Sequence, residues 1–426
     1  MKKFFIYLGL IFGASVSIYS QKNYDDYFTE NSLRIDIYHC GNNNTEAVFF
    51  KEFLKEKIWA GTKKNLINSF DLGTYQVRVY DKNSGILIFN YGYCSLFGEY
   101  IHTEEAQNIS KCFPESIIIP FPKDRVLIEL HSRKIDDNKF YKIWEIEFDP
   151  KKDLVKEEIV FNYKTFNIDI KSNISEALDI VFIGDGYTFE DEESFLTDVD
   201  ATAKYLMDNE PFKNFTQQIN IRAVLPNSAE SGTDLPQLNE YKNTALGTSF
   251  NTFGSKRYLT LYDYHILRNF CSTVPCDHVC VLVNTDIYGG GGIYNFWNVT
   301  AAKNQYRNEI FMHELGHSLA GLGDEYYDSE VSTEGMYNLN TEPWEANITT
   351  LVNFDSKWKN MIKKDIPIPT PVENKYSFEV GVYEGAAYKS KGLYRPFINC
   401  KMKSLGVAFC PVCQKTLSDI IKYYCE

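Results

Sequence analysis

Residues 313–327 read HELGHSLAGLGDEYY, and this short stretch indicates both a local fold and a chemistry. His313 and His317 are four residues apart, so on an α-helix their imidazoles project from one face, about one turn apart. Two imidazoles in that arrangement can bind one tetrahedral zinc ion, Zn2+. Glu314 follows the first histidine, where a carboxylate can act as general base toward an attacking water. The spacing therefore predicts a helix over 307–322 that carries part of a catalytic zinc site.

The helix alone does not supply the third zinc ligand. Gly321 and Gly323 are expected to end the helix and turn the chain back, which brings the next carboxylates toward the histidines. Asp324 is the first of these carboxylates and is the preferred ligand, with Glu325 and then Asp328 as alternatives. In metzincins the third ligand is the last histidine of the pattern H-E-x-x-H-x-x-G-x-x-H. The matching position here is Gly323, which has no side chain to bind a metal.

Further residues of the same half are candidates for the site. A remote third ligand is an alternative, and two more histidines, His265 and His278, lie in this half. Residues 392–413 read GLYRPFINCKMKSLGVAFCPVC. Met402 precedes a tight turn and is either an apolar floor beneath the zinc ligands or an ordinary core residue. Tyr394 and Arg395 are either structural or available to polarise a scissile carbonyl.

The chain contains ten cysteines, which can pair in an exported protein. Four of them, near the C-terminus, are compatible with a metal knuckle: Cys400, Cys410, Cys413 and Cys425. For an exported chain we expect one or two disulfides there instead. Their connectivity cannot be read from one sequence.

Residues 1–20 are predicted to be a signal peptide. Lys2 and Lys3 precede an apolar run over 4–14, and serines follow before Gln21. The run is too short for a membrane anchor, and no other stretch is apolar enough to span a bilayer. We therefore expect an exported protein, periplasmic or secreted, without stable membrane insertion. The formal net charge of −13 disfavours nucleic acid as a partner, because acidic surfaces repel phosphates.

The remaining sequence divides into two regions of different pattern. Residues 21–165 contain short alternating segments such as LRIDIYHC, YQVRVYD and RVLIELHS, which predict a β-sandwich-like domain. Residues 166–426 begin with the strand LDIVFIGD, a helical segment and the strand INIRAVLP, which predict an α/β domain. The glycine-rich YGGGGIY is expected to form an edge strand to which a substrate peptide can pair.

Several of these segments resemble the IgA-specific zinc metallopeptidase family. HELGHSLAGLGDEYY is similar to its H-E-x-G-H-S-x-x-G-L-x-D-E-Y motif, and VFIGDGYTFEDEESF, NSAESGTD and the 392–413 segment are similar to others. The N-terminal YGYCSLFGEYIHTEEAQ resembles part of the family's β-rich N-terminal domain. The resemblance implies an α+β protein with a zincin-like catalytic domain behind that N-terminal domain. It also implies zinc bound by His313, His317 and Asp324, with Glu314 as general base.

The motif and the resemblance together predict an exported zinc endopeptidase that acts on extracellular or host proteins and glycoproteins. They do not imply that IgA is its substrate. Two alternatives stay open: a zinc amidase or deacylase acting on cell-wall or glycan material, and a non-catalytic binding protein with the same fold. The physiological substrate, the role of the N-terminal domain and the oligomeric state are left open.

Overall fold

The computed structural model describes residues 23–157, 163–327 and 336–426. The predicted signal peptide, residues 1–20, and the alternative ligand Asp328 lie outside these ranges. Every other candidate site residue lies within them. No helix of the described ranges is both long enough and apolar enough to cross a membrane.

The N-terminal region forms two four-stranded sheets and two short helices. The first sheet contains β1 (Phe28–Gly41), β2 (Glu46–Glu56), β5 (Lys111–Pro122) and β8 (Val155–Glu157), in the spatial order β5-β1-β2-β8. The second contains β3 (Tyr75–Asp81), β4 (Leu87–Tyr93), β6 (Val126–Lys134) and β7 (Lys139–Phe148), in the order β4-β3-β6-β7. The helices are α1 (Tyr24–Tyr27) and α2 (Leu96–Tyr100).

Alternating apolar side chains hold the two sheets together. Ile35 on β1 and Val77 on β3 are fully buried and belong to one continuous core. Phe53 of the first sheet packs edge-on against Phe148 of the second, with ring centroids 4.8 Å apart. Because side chains alternate between the faces of a strand, every second residue of these segments reaches this core. The predicted β-sandwich-like domain is confirmed.

The second region is built on a six-stranded mixed sheet. Its strands are β9 (Lys164–Asp169), β10 (Leu178–Asp185), β11 (Ile219–Leu225), β12 (His278–Val283), β13 (Gly290–Ile293) and β14 (Trp297–Ala301), in the order β13-β14-β12-β10-β11-β9. The two edge strands, β9 and β13, run antiparallel to their neighbours, and the central pairs are parallel.

Among the described residues, this region also contains four α-helices and a hairpin. They are α3 (Glu192–Asp208), α4 (Tyr264–Cys271), α5 (Arg307–Ala320), α6 (Pro411–Cys425), β15 (Tyr383–Ala386) and β16 (Lys389–Arg395). All eight residues of β10 are buried, as expected for a central strand covered on both faces. A capping box between Thr188 and Asp191 precedes α3. The predicted α/β region is confirmed, and α5 is the helix expected to carry the histidine pair.

The two regions share a buried, charged contact. Arg268 of α4 donates to the Glu56 carboxylate of β2 at 2.7 Å, and both side chains are buried. Arg34 of β1 also donates to the backbone oxygen of His265, at 2.9 Å. Removing one member of such a buried pair leaves an uncompensated charge. Helix α4 therefore packs on the N-terminal sandwich, and a buried ion pair adds to the apolar contacts between them.

Candidate metal centre

Helix α5 presents the two histidines toward one point. The Nε2 atoms of His313 and His317 are 3.2 Å apart. The Nδ1 atom of His313 lies 3.0 Å from the backbone oxygen of Lys401, and Nδ1 of His317 lies 2.5 Å from that of Leu322. A carbonyl oxygen only accepts, so each Nδ1 carries a proton and donates it. Both rings are thereby oriented with Nε2 free to bind a metal, as is usual for histidine ligands.

A glycine turn ends α5 and reverses the chain. Gly321 follows the last helical residue with φ 59°, a left-handed conformation that favours glycine. The amide of Leu322 then donates to the oxygen of Gly316 at 3.1 Å, which satisfies a free carbonyl of the last turn. A side chain at Gly323 would lie 2.7 Å from Ile348, so this position accommodates only glycine without movement of its neighbour. The turn directs the following residue back under the histidines.

Asp324 is the carboxylate that the turn brings to the histidine pair. Its Oδ1 atom lies 3.1 Å from Nε2 of His313 and 3.3 Å from Nε2 of His317. This oxygen is buried and receives no hydrogen bond from the described part of the chain. Two Nε2 nitrogens and an anionic oxygen therefore converge on one point. Such an arrangement is unfavourable unless a cation lies between them.

The electrostatics of this cluster favour positive charge. Burial acts to raise the pKa of the Asp324 carboxyl, but the two histidines outweigh it and hold that pKa well below its usual value. Burial likewise acts to lower the pKa of His317, yet Asp324 and Glu314 raise it to about 9. The cluster thus holds an ionised carboxylate and attracts a proton or a metal ion to the space beside it.

Two tyrosines support Asp324 from the other side. The hydroxyl of Tyr388 donates to Oδ2 of Asp324, and the hydroxyls of Tyr326 and Tyr388 are 3.3 Å apart. Tyr388 and its neighbour Ala387 form the β15–β16 turn with φ of 64° and 47°, a conformation that is costly for residues other than glycine. The amide of Ala387 donates to the backbone oxygen of Asp324 at 2.8 Å. The strained turn therefore positions both the carboxylate and its hydrogen-bond donor.

Glu325 and the remote histidines lie elsewhere. The Oε1 atom of Glu325 accepts a hydrogen bond from Asn347 at 3.0 Å and lies 3.4 Å from the sulfur of Cys413. His265 contacts the backbone oxygen of Glu115 at 2.9 Å. His278 contacts the Ser318 hydroxyl at 3.1 Å. None of these three alternatives reaches the histidine pair of α5.

Met402 lies against α5 between the two histidines. A side-chain carbon added to Gly316 would be 2.5 Å from its sulfur, so the thioether packs directly on the helix backbone. Met402 is fully buried, and its backbone oxygen accepts from the amide of Glu325 at 2.8 Å. Met402 belongs to the hydrophobic core of this region, and its contact with α5 is compatible with both roles weighed for it.

Tyr394 and Arg395 do not line the centre. Both lie on β16, where the backbone of Tyr394 pairs with Thr349. Arg395 is 2% exposed and donates to the backbone oxygen of Glu384 at 2.9 Å. Their roles are structural, and the phenol that reaches the cluster is Tyr388 instead. Tyr388 lies in the turn between β15 and β16, and no sequence pattern there indicates that its hydroxyl reaches Asp324.

The edge strand β13 lies directly against α5. A side-chain carbon at Gly292 would be 2.3 Å from the backbone oxygen of Glu314, and one at Gly290 would be 3.1 Å from the Glu314 side chain. Glycines are therefore required for this close approach. The outer side of Gly290 is already paired, since its amide donates to the oxygen of Arg257 at 3.3 Å. A substrate peptide cannot pair at Gly290 while this bridge is in place. The part of YGGGGIY that could pair with a peptide is therefore shorter than the sequence predicted.

An acidic residue from the N-terminal sandwich also faces this neighbourhood. Glu99 of α2 accepts a hydrogen bond from the hydroxyl of Tyr258, which bridges Gly290. Burial raises the pKa of the Glu99 carboxyl to about 7, the Tyr258 hydrogen bond opposes this, and the charges of Glu314 and Asp324 add to it. No sequence pattern around Glu99 indicates this position, because the contact joins two domains that are distant in sequence.

Paired imidazoles on one helix, a carboxylate after a glycine turn and an adjacent glutamate define the class of metal-dependent hydrolases with a zincin-like fold. The chain belongs to the family described as IgA Peptidase M64, whose model matches residues 168–379 and 372–421. A second model, Peptidase M64 N-terminus, matches residues 23–145. The resemblance noted from the motifs is confirmed, and membership indicates a metallopeptidase. A comparison with curated proteins finds no match.

Proposed function

We propose that this protein is an exported zinc-dependent endopeptidase that hydrolyses extracellular or host proteins and glycoproteins. The observation that carries the proposal is the convergence of the two Nε2 atoms and the unbonded Oδ1 of Asp324, at mutual distances of 3.1 to 3.3 Å. Ligand atoms about 2.0–2.1 Å from a tetrahedral ion are about 3.3 Å from one another. The residues present therefore fit zinc without rearrangement.

His313, His317 and Asp324 would hold the zinc ion. When bound, zinc polarises the scissile carbonyl and makes an attacking water more acidic at neutral pH. The Lys401 and Leu322 carbonyls keep the imidazoles in the tautomer that exposes Nε2. Tyr388 holds the second oxygen of Asp324, which leaves the first one for the metal.

Glu314 is the proposed general base. Burial raises the pKa of its carboxyl, and the two neighbouring histidines act in the opposite direction. A raised pKa brings the carboxyl nearer to neutral pH, where it can both accept and release a proton. Glu314 takes a proton from the attacking water and passes it to the leaving amine. Its backbone packs against Gly292, so the adjacent edge strand limits where a peptide lies relative to this carboxylate.

Export is supported by two independent features. The sequence predicts a signal peptide over residues 1–20. Cys40 and Cys112 form a disulfide across β1 and β5, and disulfides persist in oxidising compartments. N-terminal sequencing of the protein purified from its native cells should find a start at or near Gln21. A mature chain that retains Lys2 and Lys3 would contradict export by this route.

The peptidase activity is tested with the mature, zinc-loaded protein and a mixture of unfolded proteins. Mass spectrometry of newly formed N-termini should detect internal cleavages that a matched Glu314→Gln variant does not produce. If the zinc-loaded protein cleaves no more than this variant, the endopeptidase proposal fails. Release of acyl or glycan-linked groups without peptide cleavage would favour the amidase alternative.

A further inference from the structure

A second group of potential metal ligands lies beside the candidate centre but is separate from it. It comprises one carboxylate and three thiols, here called the thiol cluster: Glu325, Cys400, Cys410 and Cys413. All four side chains are buried, and one ligand atom from each lies within 4.8 Å of every other. The three thiols are free, so the disulfides expected near the C-terminus are not present. Cys425, the fourth cysteine of the alternative metal knuckle, instead contacts the backbone oxygen of Gln218.

The separations within the thiol cluster match tetrahedral zinc coordination. The sulfur of Cys413 lies 3.7 Å from that of Cys400 and 3.5 Å from that of Cys410. Thiolates bound about 2.3 Å from a tetrahedral ion are about 3.8 Å apart. The Oε1 atom of Glu325 lies 3.4 Å from the Cys413 sulfur. An oxygen and a sulfur bound to the same tetrahedral ion are expected to be roughly 3.5 Å apart.

The Glu325 side chain is an independent sign that the thiol cluster binds a cation. The side chain is completely buried, and its Oε2 atom has no hydrogen-bond partner among the described residues. Its other oxygen contacts the Asn347 amide and the Cys413 sulfur. The charge of Arg395 acts on this carboxylate, but its guanidinium donates to the backbone oxygens of Glu384 and Gly385 instead. A buried carboxylate that is compensated only in part is costly. A divalent cation bound by the Glu325 carboxylate would remove the cost.

The local fold prepares the thiols for metal binding. Cys410 is the N-cap of α6 and Cys413 lies in its first turn, so the helix dipole stabilises negative charge on both sulfurs. The backbone amide of Cys410 donates to the sulfur of Cys400 at 3.2 Å. Amide donors of this kind stabilise metal-bound thiolates. The sequence spacing of Cys410 and Cys413 is C-x-x-C, a common zinc-ligand pair.

We propose that the thiol cluster binds a second zinc ion with a structural role. On binding, the three thiols release three protons, and three zinc–sulfur bonds and one zinc–oxygen bond form. Four protein ligands leave no position for substrate, which is the arrangement of structural zinc sites rather than catalytic ones. Glu325 takes the place that a fourth cysteine occupies in an all-cysteine site.

The second ion would also stabilise the candidate catalytic centre, a consequence that rests on the proposed function. Glu325 is covalently linked to Asp324, and Cys400 precedes Lys401, whose carbonyl accepts from His313. The amide of Glu325 is bonded to the backbone oxygen of Met402. Fixing the thiol cluster therefore fixes two backbone segments that orient the catalytic ligands.

The metal content of the mature protein, measured by mass spectrometry, tests the proposal. Wild-type protein should contain two zinc ions per chain, and a His313→Ala/His317→Ala variant should keep one. A Cys400→Ser/Cys413→Ser variant should also keep one, bound by the histidines. Cys425→Ser is the matched control, since Cys425 lies on α6 outside the cluster, and it should keep two.

Cobalt substitution tests the ligands without relying on folding of the cysteine variant. The His313→Ala/His317→Ala protein, refilled with Co2+ alone, should show an intense thiolate-to-metal charge-transfer absorption. Its cluster thiols should resist alkylation until a chelator is added. A disulfide between any two of the three cysteines in unreduced wild-type protein would overturn the proposal. So would absence of bound metal in the double-histidine variant together with free alkylation of all three thiols.

The same measurements separate this proposal from the proposed function. If the double-histidine substitution removes no metal, the candidate catalytic site is wrong and the thiol cluster is unaffected. If the wild type contains one zinc ion per chain and the double-histidine variant contains none, the catalytic site is supported and the second zinc site is excluded.

Discussion

Asp324 and Glu325 are consecutive residues whose carboxylates face two different clusters. The Oδ1 atom of Asp324 lies 3.1 Å from His313, whereas the Oε1 atom of Glu325 lies 3.4 Å from the sulfur of Cys413. Successive side chains of an extended segment point to opposite sides. One short segment after α5 therefore supplies a ligand candidate to each site, and substitutions at the two positions should have different consequences.

Asp324→Asn is expected to weaken zinc binding at the histidine pair. The amide carries no charge, so the loss should exceed the roughly 10–100-fold typical of supporting residues. Competition with a chelator of known affinity measures the change. Asp355→Asn is the control, because Asp355 is an exposed carboxylate whose ion pair in the described part of the chain is with Lys359. Equal zinc affinity in the Asp324 variant and the wild type would exclude Asp324 as a ligand.

Glu314→Gln is expected to lower kcat by about 10²–10⁴-fold, the usual contribution of a general base. The amide is of similar size, so zinc content and KM should remain near the wild-type values. Steady-state kinetics on a cleaved peptide, together with zinc analysis of the same sample, provides both readouts. Retention of more than half of the wild-type kcat would refute the general-base role.

Tyr388→Phe removes the hydroxyl that donates to Oδ2 of Asp324. We expect zinc affinity at the histidine pair to fall by about 10–100-fold, as for other residues that orient a metal ligand. Tyr394→Phe provides the matched control, since Tyr394 contacts Thr349 through its backbone. If both variants bind zinc equally well, Tyr388 does not position Asp324.

Stability is expected to decrease as the pH rises through about 9, because of His39 in the N-terminal sandwich. Its burial acts to lower its pKa, but contacts with Glu115 at 3.1 Å and Glu46 at 3.2 Å raise it to about 9. A group whose folded pKa exceeds its unfolded value stabilises most below the unfolded pKa, here 6.5, and progressively less up to the folded one. The shift corresponds to about 3 kcal/mol.

Denaturant unfolding between pH 6 and pH 10 measures this dependence. His39→Gln should be less stable at about pH 6 and should lose less stability on going to alkaline pH. His102→Gln is the control, because burial lowers the pKa of His102 rather than raising it, so this residue contributes no loss of stability at alkaline pH. An unchanged slope in the His39 variant would show that another group causes the dependence.

Short-range periodicity accounts for the parts of the fold that were predicted correctly. His313, Glu314 and His317 follow helical spacing, and β10 is a buried apolar run of the length of a central strand. The alternating segments of the N-terminal region likewise define strands from neighbouring residues alone. Each of these predictions depends on residues within a few positions of one another.

Contacts between distant segments could not be predicted in the same way. Tyr388 reaches Asp324 across 64 residues, and Cys413 reaches Glu325 across 88. The disulfides preferred near the C-terminus are not formed, and no sequence pattern indicates that the Glu325 carboxylate lies among these thiols. Of the two roles considered for Tyr394 and Arg395, the structural one matches their contacts on β16, because strand register decides which hairpin residue faces the centre.

The sequence by itself determined that two imidazoles and a glutamate share one helix, because helical geometry is a property of adjacent residues. It also determined that a glycine turn follows them. Only the tertiary structure decided that Asp324 turns toward the histidines and Glu325 away from them. That choice depends on the β15–β16 turn, on Asn347 and on the thiols of α6, and their positions follow from packing of the whole domain rather than from any local pattern.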